Sequence, residues 1–241
     1  MMVVTSARAV GIQYYRTLML VVLGLSVLAN MVWMRSGLGG LWDVWLLPAV
    51  ATAFFGSVVW TLGRVALGQA AAVLLVIETF MAMAVPWVSV EPTLGQVAWL
   101  GFAGDIASAS LLGSMMAAML LGHSYLIAPA MSIEPLKRLV KIVAVSLAGR
   151  AALAGVGLAM LAAAAANRGR ADGHDAFWWG MVATRWAVGV VAPAVITWMV
   201  WQTAKIRSTQ SATGILYVGV VFTLLGELCD QIVMAPFWTT Q

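Results

Sequence analysis

The sequence predicts an all-α integral membrane protein, a polytopic bundle of seven transmembrane helices. Three observations carry that prediction. First, 63% of the 241 residues are hydrophobic and only 9% are charged, against roughly 45–50% and about 25% in soluble domains. So few polar side chains cannot cover a soluble globule, and the same composition excludes disorder. Second, the apolar residues form continuous runs close to the ~20 residues a spanning helix needs. Barrel strands would instead alternate over segments of about 10 residues. Third, the basic residues collect on one side of the runs, as the positive-inside rule requires.

The expected spans are 17–34, 41–63, 65–87, 97–122, 139–165, 176–201 and 212–236. The first follows Arg8 and Arg16 and passes Val27-Leu28-Ala29, an ending that would also suit a cleaved signal peptide. Its apolar run continues through Asn30 to Met34 after a long leading segment, so it is read as a retained helix. The second span holds Pro48 and the third Glu78. The fourth carries Gly104, Ser108, Ser110, Gly113 and Ser114, small residues that let helices approach closely. The fifth carries Arg150. The sixth carries Arg185 and Pro193, whose ring removes a backbone donor and frees a carbonyl that can face a cavity. In the seventh, Gly219, Thr223, Glu227 and Asp230 recur at helical spacing and line one stripe. No connecting loop is long enough to fold alone, so residues 1–241 are expected to form a single seven-helix domain.

Orientation follows from the loops. One side carries Arg8, Arg16, Arg64, Lys137, Arg138, Lys141, Lys205 and Arg207, and the other carries Arg35, Arg168 and Arg170. Arg150 and Arg185 lie inside spans and complete the 13 basic residues. The N-terminus is then cytoplasmic and the C-terminus exoplasmic, in what is expected to be a bacterial cytoplasmic (inner) membrane. Trp33, Trp42, Trp45, Trp87, Trp99, Trp178, Trp179 and Trp238 fall at the predicted outer ends, where an aromatic belt belongs. The net charge of +4 reflects the inner collar, so no nucleic-acid partner is expected.

A short repeat overlies this plan. Pro48-Ala49-Val50-Ala51-Thr52 in span 2 matches Pro193-Ala194-Val195-Ile196-Thr197 in span 6, and each following span carries a glutamate, Glu78 or Glu227. This suggests two parallel three-helix units, spans 1–3 and 5–7, joined by span 4, a plan known in small transporters. The competing explanation is chance, because these residue types are common in such helices.

Charges at membrane depth cost several kcal/mol unless paired or hydrated. Glu78, Asp105, Arg185 and Glu227 each lie eight or nine residues from the predicted outer end of a span. At the rise of an α-helix that is roughly 12–14 Å, near the middle of the hydrocarbon core. Asp230 is one turn shallower, and Arg150 lies near the middle of its span. Four carboxylates thus accompany two guanidinium groups. Arg150 and Arg185 can neutralise two acids, leaving two. Desolvation favours the neutral form of a carboxyl, so a leftover acid can carry a proton or take a cation. The competing reading is a set of inert buried pairs that fix helix register. Glu227 and Glu78 are the first choices for the pathway, then Asp105.

At the cytoplasmic rim, span 4 ends Gly122-His123-Ser124-Tyr125, and Lys137 and Arg138 follow a Pro-rich link expected to lie briefly in the interface. The loop between spans 6 and 7 offers Lys205 and Arg207 among hydroxyl and amide groups. His123, Tyr125, Lys205 and Arg207 could together bind a phosphate, a lipid headgroup or a quinone carbonyl. An ordinary positive collar with capping Ser and Thr is the plainer reading.

Several chemistries are unsupported. One cysteine, Cys229, permits neither a disulfide nor a four-thiolate metal site. His123 and His174 fall on opposite faces, so a bis-histidine haem is not expected, and no metal triad is present. Span 7 holds no lysine for a retinal Schiff base. No phosphate-binding loop, nucleophile elbow or zinc-protease motif is found. Enzyme activity is therefore not argued, and no resident cofactor is expected. The leading functional expectation is a small proton- or cation-coupled transporter, with the bilayer and a small ion or molecule as partners. The first alternative is a quinone-interacting anchor subunit of a redox complex. The second is a structural or assembly subunit beside other membrane proteins.

Overall fold

The structure, a computed structural model, describes residues 10–36, 41–88, 95–128, 131–167 and 176–239. Every regular element among them is helical. In chain order these are α1 (Ile12–Ser36), α2 (Leu41–Thr61), α3 (Val65–Val88), α4 (Gly95–Ile127), α5 (Glu134–Asn167), α6 (Ala176–Trp186), a π-helical turn (Ala187–Val191), α7 (Ala192–Lys205) and α8 (Thr209–Thr239). The π turn joins α6 to α7 without a break, so the two form one rod. Arg8, Arg168, Arg170 and His174, and the side chains of Trp42 and Trp238, lie outside the described residues.

Six helical runs are long and apolar enough to cross a membrane: Ile12–Arg35, Val65–Val85, Trp99–Ile127, Glu134–Met160, Trp178–Lys205 and Thr209–Val233. Helices are the form expected there, because each backbone polar group finds its partner within the segment. The expected second span is helical, but its described apolar part, Trp45–Thr61, is shorter than the other six. Large apolar side chains such as Leu28, Phe55, Val76, Val145 and Leu228 stand exposed. An aqueous protein would bury them; an integral membrane protein turns them to lipid, and the bundle is compatible with that class.

Helix ends outrun the apolar runs. α1 starts at Ile12 rather than residue 17, and α5 at Glu134 rather than 139. The hydropathy pattern marks only the lipid-matched part of a helix, whereas the hydrogen-bond ladder continues through polar turns outside it. Pro135 is tolerated because a first-turn N–H has no intrahelical partner to lose. The link between α4 and α5, expected to lie in the interface from residue 127 onward, is correspondingly short: Ile127 is the last residue of α4, and Pro135 to Arg138 are already helical.

The chain divides into two compact units, Met1–Phe102 and Ala103–Gln241. In the first, α1 packs on α2 and α2 on α3. Its centre is aromatic: Trp60 stacks on Tyr15 with centroids 4.6 Å apart, and Tyr14 meets Tyr15 edge to face. Gly68 on α3 lies flat against Trp60, where a Cβ would come within 2.5 Å of the indole ring. Asn30 of α1 donates from Nδ2 to the Leu46 carbonyl of α2 at 3.1 Å, which fixes the helices across their seam.

In the second unit α8 packs on α6, the π turn and α7, and α5 packs on α7. Here the seam is made by missing side chains. A Cβ on Gly189 would lie 2.9 Å from the Gly226 backbone, and one on Gly226 would overlap Gly189. Likewise Gly219 of α8 meets Ile196 and Met115, and Gly122 of α4 meets Thr213. Close backbone approach through small residues is the usual way helices associate in lipid, where apolar burial gives no net drive.

The two short turns between helices resemble one another bond for bond. After α2, the Gly63 N–H donates to the Trp60 carbonyl and the Arg64 N–H to the Val59 carbonyl. After α7, the Arg207 N–H donates to the Ala204 carbonyl and the Ser208 N–H to the Thr203 carbonyl. Both are Schellman closures with a left-handed residue past the helix end, at φ 70° for Gly63 and 56° for Arg207.

Candidate functional site

The polar groups at mid-helix fall into two sets, one in each unit. In the second unit they form a continuous ionic network. Arg150 of α5 grips Glu227 of α8 in a bidentate pair, Nε lying 3.0 Å from Oε1 and Nη2 2.9 Å from Oε2. The same guanidinium donates to Asp230, one turn along α8. Arg185 at the end of α6 places Nη2 2.6 Å from Asp230 Oδ1. That contact is a close charge pair rather than an aligned hydrogen bond, since Oδ1 has no donor in line. Ser108 of α4 donates to Glu227 Oε2 at 2.6 Å.

Four helices therefore supply this set. Arg150, Arg185 and Asp230 are buried, and Glu227 is nearly so. Two cations face two carboxylates, so the formal charge balances. Buried ions are tolerated when charge and hydrogen bonds are both satisfied, and the forked pairing of Arg150 is the strongest arrangement open to a guanidinium. The α8 stripe Gly219, Thr223, Glu227, Asp230 is the face that carries it. Gly219 and Thr223 are buried, and Thr223 donates back to the Gly219 carbonyl.

The π turn sits beside the network. Its wide turn is closed by the Ala192 N–H bonding to the Ala187 carbonyl, five residues back. It follows Arg185 by two residues, contains Gly189 at the α8 crossing and precedes Pro193 by two. Pro193 cannot donate to the helix ladder, and a π turn is one way to absorb that gap. Thr197 then donates to the Pro193 carbonyl at 2.6 Å.

In the first unit the set is minimal. Glu78, midway along α3, is 6% exposed. Thr52 of α2 donates to its Oε1 at 2.9 Å. Oε2 is buried and has no hydrogen-bond partner among the described residues. Arg16, Arg35 and Arg64 stand exposed at helix ends, so none of them neutralises this acid in the helix interior. A buried carboxyl oxygen without a donor is expensive and is the kind of exception that points to a missing proton, ion or water. Asp105, the fourth acid, is half-buried on α4 and is not without a partner of its own.

The rim residues all belong to the second unit and differ in exposure. His123 is exposed at the end of α4, its Nδ1 3.5 Å from the Tyr217 hydroxyl. Lys205 and Arg207 are exposed at the turn after α7. Tyr125 is buried, and its hydroxyl donates to the Ser132 carbonyl, which ties the α4–α5 link and leaves that hydroxyl turned away from any rim ligand. Among the described residues no group of three His, Cys, Asp or Glu side chains could hold a metal.

Sequence reasoning singled out all six interior charges but not their partners. Thr52 entered only as part of a repeat and Ser108 only as a small packing residue. Gly189 and Gly226 were not singled out. The Gly-Val-Val-Ala-Pro run 189–193 was the available signal for an irregular turn. Compared with protein-family models, with curated proteins and with solved structures, the chain finds no match in any of the three.

Proposed function

We propose that the chain is a small proton- or cation-coupled membrane transporter in which Glu78 is the exchanging acid. The supporting observation is the Glu78 carboxyl itself, buried in a spanning helix, held at one oxygen by Thr52 and unpartnered at the other among the described residues. A group held so lightly can exchange a proton or a small cation at low structural cost. Membrane-depth acids of this kind mark ion pathways in pumps and transporters. The ionic network of Arg150, Arg185, Glu227 and Asp230 then serves as a fixed frame rather than as the carrier. The proposed plan has seven crossings, α2 included, with the N-terminus and the basic turns on the cytoplasmic side. It also takes α2–α3 and α7–α8 as corresponding parts of a parallel repeat, which the matching turns support.

The test is current from purified protein reconstituted in vesicles on a solid-supported membrane, after jumps in H⁺, Na⁺ or K⁺. Wild type should give a saturable charge displacement with one of these ions, and Glu78→Gln should reduce it at least tenfold while the protein stays monodisperse. An undiminished signal in Glu78→Gln removes Glu78 from the pathway, and no displacement in wild type removes ion coupling altogether.

A second reading has a specific observation of its own. The charge balance of the Arg150–Arg185–Glu227–Asp230 network suits a structural or assembly subunit whose ions only set helix register. In that case Glu227→Gln lowers stability, and Glu78→Gln changes nothing that an ion jump can read.

A further inference from the structure

One cavity lies outside both polar sets. A groove of about 490 Å³ runs between α5 and α7 in the second unit. That is within the roughly 300–1,000 Å³ of sites that hold small molecules. Short side chains open it: Ala144, Ala148 and Ala151 on α5 and Ala194 on α7. From Val140 to Ala151 it spans about three turns, or roughly 16 Å of helix. Its walls are almost wholly apolar, with the exposed Trp198 on one side, so a polar ligand has little to bind along its length.

One end differs. Lys141 Nζ lies 5.6 Å from the Trp201 ring centroid and Lys205 Nζ lies 5.7 Å from it. Lys141 belongs to the second turn of α5 and Lys205 ends α7, so two ammonium groups from different helices bracket one indole at the groove mouth. Among the described residues neither lysine pairs with a carboxylate, although Lys137, one turn earlier, has an ion pair with Glu134. An apolar slot ending in two cations and a tryptophan has the charge pattern of a lipid: chains in the slot, and an anionic headgroup where aromatic and basic residues meet the interface.

From this geometry we infer that the α5–α7 groove binds one anionic phospholipid, an acyl chain along Ala144, Ala148 and Ala194 and the phosphate at Lys141 and Lys205. The site does not depend on Glu78 and stands whether or not the chain transports ions. It requires only that the helices lie in a bilayer. Lipid bound there clasps α5, which carries Arg150, to the rod that carries Arg185.

The experiment is native mass spectrometry of the detergent-purified full chain, titrated with phosphatidylglycerol or with phosphatidylcholine of the same acyl chains. Wild type should retain one phosphatidylglycerol at least tenfold more tightly than phosphatidylcholine. The double variant Lys141→Gln/Lys205→Gln should lose that preference. Ala148→Phe, which fills the slot from an exposed position, should weaken both lipids. Its monodispersity and its helical content by circular dichroism serve as controls for folding. Equal retention of the two lipids by wild type overturns the inference, as does a preference that survives loss of both lysines. Displacement of the phosphatidylglycerol by millimolar inorganic phosphate would assign the cations to free anions. Displacement by a quinone, or a dimer that Ala148→Phe disperses, would assign the groove to another occupant, and either result also overturns it.

Discussion

The α2–α3 hairpin and the α7–α8 hairpin begin alike and end differently. Each opens on Pro-Ala-Val, places a threonine four residues after the proline, closes through a three-residue left-handed turn and carries a glutamate in its second helix. In the first hairpin the threonine reaches across and donates to the glutamate, Thr52 to Glu78. In the second, Thr197 turns back to the Pro193 carbonyl, and Glu227 is taken by Arg150 and Ser108. Available cations account for the contrast. The second unit buries two arginines beside its glutamate, whereas the described arginines of the first stand exposed at helix ends. Two hairpins with like turns thus carry a locked acid in one case and a lightly held acid in the other.

The sharpest way to break this comparison is to remove the lock. Arg150→Met should destabilise the protein by about 3–5 kcal/mol, because two carboxylates are left buried without their shared cation. Adding Glu227→Gln should recover part of that loss, giving a favourable coupling between the two changes. Denaturant unfolding of the purified single and double variants checks both. Glu78→Gln breaks no ion pair and keeps an acceptor for Thr52, so its effect on stability should be several-fold smaller. Equal losses at the two glutamates would erase the distinction between locked and free.

The threonines give a smaller and more specific effect. Thr52→Val should cost about 1 kcal/mol, the net worth of one internal hydrogen bond, and should also alter the ion-jump response. Thr197→Val should leave that response unchanged. The mismatch lies in which way a hydroxyl points, and that was not legible in the sequence. A spacing of residues along a helix settles which face they share but not the helix's rotation against its neighbour. For the same reason the six interior charges could be named while their pairing could not. Four acids and two arginines counted as one pool give a surplus of two. The structure divides that pool, pairing Glu227 and Asp230 with both arginines and leaving Glu78, among the described residues, with the Thr52 hydroxyl. The helices themselves were legible, because continuous apolar runs report on lipid contact directly. The pitch change at 187–191 left only the glycine and proline of the 189–193 run as a signal, which marks an irregular turn but not its kind.

The turns provide the finest comparison. Both need a left-handed residue, and only the first has the glycine suited to it. Gly63→Ala should therefore cost about 1 kcal/mol. Arg207→Gly should be neutral or stabilising by up to about 1 kcal/mol, since a side chain in that region carries a penalty of roughly 1–2 kcal/mol that glycine escapes at some entropic cost. Parallel melts of the two variants check the opposite signs.

The π turn sets the phase between the two halves of one rod. The extra residue in the wide turn sets everything after it back by about 100° relative to an unbroken α-helix. In this rod that lag is what lets Arg185, ahead of the turn, share a side with Pro193, Thr197 and Val200 behind it, all of them buried. Straightening 187–191 into α-helix without losing a residue would swing α7 out of step with Arg185, whereas deleting one residue there would remove the wide turn and keep the two halves in phase. Moving the wide turn by a few positions would rotate the segment between the old and new places while both ends stayed where they are.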